Sequence, residues 1–143
     1  MADTSLPARS VLAPTTGEAV VGLLGAAVVS IAVNALIALV AGTFIPEGTE
    51  RMGLALAEYA PATVIGILLG TLGWYLVRRF AANPRKLLRV LVPAVVVVSW
   101  IPDLGILAGG ASIVNSIALI LMHVVVAAAA VPTLARVLPL GAK

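Results

Sequence analysis

Four long apolar runs, separated by short polar gaps, organise the whole of this chain. Glu18 and Glu47 enclose about 28 residues without a charge, and Tyr59 to Val77 forms a second uncharged run of about 19. A third run lies between Arg89 and Asp103 and extends past it. A fourth fills Leu104 to Ala135, interrupted only by His123. About 20 apolar residues cross the hydrocarbon core of a bilayer. The pattern therefore predicts an all-α transmembrane four-helix bundle with spans near 19–44, 59–79, 86–107 and 112–136. Residues 18–138 make one membrane domain. Residues 1–17 carry Pro7, Pro14, Ser5 and Ser10 with little apolar periodicity, and are expected to be a disordered tail.

Local signals set the ends of the runs. The first run is longer than the roughly 7–15 residues of a signal-peptide core, so it is expected to stay as an uncleaved helix. Pro46, Gly48, Glu47, Glu50 and Arg51 mark the first loop, where Thr49 is expected to cap a short interfacial helix carrying Met52, Leu54 and Leu56. Asn83 before Pro84 is a cap followed by proline at the first helical position. Pro93 should kink the third helix, and Ser112 should cap the fourth. Tyr59, Trp74, Tyr75 and Trp100 fall where aromatic belts are expected.

Charge orients the bundle. The second gap holds Arg78, Arg79, Arg85, Lys86 and Arg89, and the tails hold Arg9, Arg136 and Lys143. The other two gaps hold only Arg51, beside Glu47, Glu50, Glu58 and Asp103. Positive residues stay on the cytoplasmic side, which predicts cytoplasmic termini in a multi-pass plasma-membrane protein. The same cluster could contact anionic lipid headgroups. A pI near 10 would otherwise invite a nucleic-acid partner, but these charges flank spans, and none is expected.

Composition removes further classes. With 62% hydrophobic and 10% charged residues and a mean hydropathy of +1.16, the chain is no ordinary soluble domain. It has no cysteine, which excludes thiol redox chemistry, thiolate metal sites and disulfides. No nucleophile triad, paired inward carboxylates or phosphate loop occurs, so no catalytic residue, metal site or cofactor is predicted.

Small and polar positions supply the remaining candidates. The first helix places Gly22, Ala26, Ser30 and Asn34 four residues apart, and the second places Ala62, Gly66 and Gly70 likewise. Small residues let helix backbones approach where lipid gives no hydrophobic drive. Gly22, Ala26, Ser30, Gly66 and Gly70 are therefore expected at helix contacts, within this chain or with a second copy. On the fourth helix, Asn115, Ser116 and His123 share one face at 100° per residue. His123 lies roughly 16 Å deep, where an ionisable group is a candidate for function. It could be a haem ligand, a proton relay or a substrate donor, or a neutral imidazole bonded to Asn34 or a backbone carbonyl. Asp103, Glu58, Asn115 and Asn34 are its candidate companions in a ligand site. Asp103 and Glu58 could equally face outer water.

Ser99-Trp100-Ile101-Pro102-Asp103, Leu121-Met122-His123 and Pro132 before Arg136 resemble a family of short four-span membrane proteins of uncharacterised function, mainly actinobacterial. That resemblance implies the four-helix fold and transfers no residue role. Small multidrug-resistance exporters need a carboxylate within the first helix, and none lies between Glu18 and Glu47. Membrane glutathione transferases depend on core charges that are not evident, and vitamin K epoxide reductase relatives require cysteines. The leading expectation is a self-associating or accessory membrane subunit, in a homo-oligomer or larger complex. The alternatives are a small transporter or ligand-binding protein built around His123, and a haem- or quinone-binding subunit.

Overall fold

In a chain whose largest aliphatic residues must meet either lipid or one another, helices are the economical answer. They satisfy every backbone group within the segment. The computed structural model describes residues 14–140, all helix and turn: α1 Thr16–Gly42, α2 Leu56–Phe80, α3 Pro84–Ser99, α4 Ile101–Ala108 and α5 Ile113–Val137. α3 and α4 together form one apolar stretch, so four segments are long and apolar enough to cross a membrane.

Helix starts follow local chemistry. Thr15 and Glu18 form a reciprocal capping box, with Glu18 N–H donating to Thr15 Oγ1 at 3.2 Å and Thr15 N–H to Glu18 Oε2 at 2.7 Å. Thr16 and Gly17, expected in the tail, are therefore helical, and the tail expectation for residues 1–13 lies outside the described residues. Asn83 accepts from Lys86 N–H at 3.1 Å ahead of Pro84, and Ser112 accepts from Val114 N–H at 3.2 Å. α3 runs through Pro93 without interruption. The break falls at Trp100 instead, two residues before Pro102. There the missing proline N–H removes a helical bond.

The segment between α1 and α2 contains turns and no interfacial helix. Gly48 and Gly53 adopt φ of +80° and +79°, conformations that a side chain disfavours. Ile45 and Leu54 fold inward from this segment onto Ala41, Tyr59, Leu119 and Met122. Arg51, the one cation of this segment, donates from Nη2 to the Gly42 carbonyl at 3.0 Å. That closes the last turn of α1, which has no basic residue of its own.

The packing is inverted relative to a water-soluble bundle. The largest fully buried side chains are Asn34, Asn115, Ser30 and Ser116, while Val21, Leu39, Leu69 and Phe80 are exposed. Outward aliphatic faces suit hydrocarbon, and small polar faces suit close helix contact. α1 and α5 are antiparallel and share the most extensive interface. Gly22 faces Thr133 and Val137, and a Cβ there would stand 3.0 Å from Val137 Cγ1. Ala26, Ser30 and Asn34 continue the buried face of α1. Tyr59 and Trp74, expected at the aromatic belts, are core residues instead, only 7% and 6% exposed.

Candidate functional site

α3 is fastened to the bundle at its two ends and stands away from it in the middle. At the arginine end, Leu88 joins Trp74, Val77 and Leu134 in a closed apolar cluster. Trp74 Nε1–H also donates to the Leu138 carbonyl at 3.0 Å, drawing the chain after α5 across that end. At the opposite end Ser116 Oγ donates to the Asp103 carbonyl at 3.1 Å, tying α4 to α5. Leu88 is the one buried residue of α3, so no residue of the helix between these fastenings is buried. A cleft of about 630 Å³ opens between α2, α3 and α5.

The small residues of α2 make this cleft. Gly66, Gly70 and Gly73 line it, and a Cβ built on any of them meets nothing within 4 Å. The expected contact of Gly66 and Gly70 is therefore not made with another helix of this chain. A glycine face permits close approach only where a partner is brought up to it, and α3 is held off by its ends. Leu91, Val92 and Val95 supply the opposite wall, and Val126, Ala127 and Ala130 the side formed by α5.

Polar groups gather at one end of this apolar slot. His123 Nδ1 lies 2.9 Å from the Leu119 carbonyl, aligned for hydrogen bonding, and 3.2 Å from Asp103 Oδ2. Both neighbours of Nδ1 are acceptors, so Nδ1 carries the proton and the ring presents Nε2 free of any partner among the described residues. Asp103 is 4% exposed, and its Oδ2 has the imidazole beside it but no aligned donor. Asn34, 1% exposed, donates from Nδ2 to Thr63 Oγ1 at 3.3 Å and keeps Oδ1 unpartnered. All four side chains line the cleft.

Of the residues singled out from sequence, the fold thus brings together His123, Asp103 and Asn34. Glu58 lines the mouth of the same cleft, exposed, with Oε2 accepting from Ala55 N–H at 3.1 Å. Asn115 is elsewhere. It is fully buried, donates to the Met52 carbonyl at 2.9 Å, holding the first loop against α5, and does not line this cleft. Arg78, Arg79, Arg85, Lys86 and Arg89 are all exposed beyond the closed end. Arg85 Nη2 reaches the Leu140 carbonyl at 3.4 Å, and Arg79 stands 5.8 Å above the Phe80 ring. Thr63 was missed, although it precedes Gly66 by three residues and Gly70 by seven and so shares their face. Among the described residues no group of three His, Asp or Glu side chains could hold a metal ion.

A family model matches residues 10–139, nearly the whole chain. The chain belongs to the DUF6069 family, a family of unknown function. Comparison with curated proteins and with solved structures found no match. Membership agrees with the resemblance to an uncharacterised family and assigns no role to the cleft.

Proposed function

We propose that this protein binds an elongated apolar molecule within the membrane, its chain along the α2–α3–α5 cleft and its polar end beside His123 and Asp103. The observation that carries this is the cleft itself: about 630 Å³, apolar along its length, with the one close His–carboxylate pair among the described residues at one end. Ligand pockets of roughly 300–1,000 Å³ with a few convergent polar groups are the usual form of a small-molecule site. From Thr63 to Trp74 on α2, and from His123 to Leu134 on α5, is eleven residues, about 16 Å of helix in both cases. That depth suits a single alkyl or isoprenoid chain.

Self-association draws less support, because the small-residue stripe of α1 is occupied by α5 of the same chain. We place the protein in the plasma membrane with both termini in the cytoplasm, on the strength of its charge distribution, and its exposed arginines against anionic headgroups. Native mass spectrometry from mild detergent tests the binding. The protein should carry a lipid-sized adduct that a folded Gly66→Leu/Gly70→Leu variant lacks. An adduct retained by that variant would refute the proposal.

A further inference from the structure

We infer that the polar end of the cleft selects a head group that donates hydrogen bonds, an ammonium or a hydroxyl, over an anionic one. This rests on the binding reading above and deepens it. Three kinds of group meet at that end, and what they leave open is acceptor capacity. Asp103 Oδ2 and Asn34 Oδ1 are buried without a donor, on side chains that are more than nine-tenths buried and that line the cleft. Nδ1–H of His123 is committed to the Leu119 carbonyl, so with a single ring proton Nε2 is a third acceptor. Thr63 Oγ1 accepts from Asn34, and its hydroxyl proton is a donor at that end, set against three open acceptors.

An unpaired acceptor away from water loses its solvation and gains nothing in return, so an incoming donor is worth more here than at a surface. Charge points the same way. Among the described residues no Lys or Arg lines the cleft, whereas the carboxyl groups of Asp103 and Glu58 both do. A carboxylate or phosphate head would meet the carboxyl groups of Asp103 and Glu58 in a medium of low dielectric, with no cation among the described residues to receive it. An ammonium head would face Asp103, and a hydroxyl head could donate to any of the three acceptors.

Dodecylamine, dodecanol and dodecanoic acid, each brominated at the chain end, test this in nanodiscs of zwitterionic lipid. Trp74 at the closed end of the cleft reports the chain terminus by quenching. A Trp100→Phe background makes it the sole tryptophan of the two in the chain. Amine and alcohol should quench saturably at concentrations lower than the acid by on the order of tenfold or more. Asp103→Asn should narrow the gap between amine and acid. The ranking in the unsubstituted site decides even where that variant does not fold. An amine ahead of the alcohol assigns the selection to the charge of Asp103, and equality assigns it to hydrogen bonding, both within the inference. Acid binding as tightly as the amine overturns head-group selection and leaves the cleft standing. Quenching that never saturates, or that survives Gly66→Leu/Gly70→Leu, overturns the cleft reading itself.

Discussion

Replacing Gly70 with Leu, and separately Gly22 with Leu, sets apart two uses of glycine that look identical in sequence. Both residues lie in four-residue repeats of small side chains. At Gly70 a new Cβ meets nothing within 4 Å, because the position faces the cleft. Leucine there starts into open space, and it removes most of the helix-interior penalty of glycine, about 0.8–1.0 kcal/mol. Gly70→Leu should therefore be neutral or stabilising by up to about 1 kcal/mol. At Gly22 the Cβ alone would stand 3.0 Å from Val137 Cγ1 and 3.3 Å from Thr133 Cγ2. The rest of the leucine must then push α5 away along the main interface of the bundle, an overpacking cost of about 1–3 kcal/mol. The two variants should differ by roughly 1–4 kcal/mol in opposite directions from the parent. Thermal unfolding in mild detergent, followed by helical circular dichroism, reads this as a midpoint at or above the parent for Gly70→Leu and clearly below it for Gly22→Leu. Comparable losses in both would mean that α3 closes onto α2 and that the cleft is not there.

Three further outcomes are expected. Gly53→Ala should destabilise by about 1–2 kcal/mol from its φ of +79° alone, and by more because the new Cβ would stand 2.9 Å from Leu119 Cδ2, as the same unfolding assay will report. His123→Leu should cost about 1–3 kcal/mol by removing the imidazole that stands 3.2 Å from the buried Asp103 carboxyl group, and adding Asp103→Leu should recover part of that loss; a double-mutant cycle with no coupling would show that the pair does not interact. Reporter fusions at Lys143 and within Thr49–Gly53 should mark opposite sides of the membrane, and a shared side would defeat the four-span topology.

How far a sequence of this kind can be followed depends on whether a property is local. The four spans are properties of length and apolarity within each run. The caps at Asn83 and Ser112 depend on residues three positions away or fewer. All of these were legible. The inward face of α5 was legible too, because 100° per residue aligns Asn115, Ser116 and His123 whatever surrounds them. What the chain alone left open was which faces meet. The stripe of α1 and the stripe of α2 carry the same signal, yet the first is filled by Thr133 and Val137 and the second opens on a cleft. The difference lies in α3, held near the bundle by Leu88 and by the Ser116–Asp103 hydrogen bond and free between them. The pairing of His123 with Asp103 is likewise tertiary. It joins positions twenty residues apart, one on α4 and one on α5, across the turn between them. Helical periodicity specifies a direction around one axis. Only the placement of a second axis decides whether that direction holds a neighbour, lipid or room for a ligand.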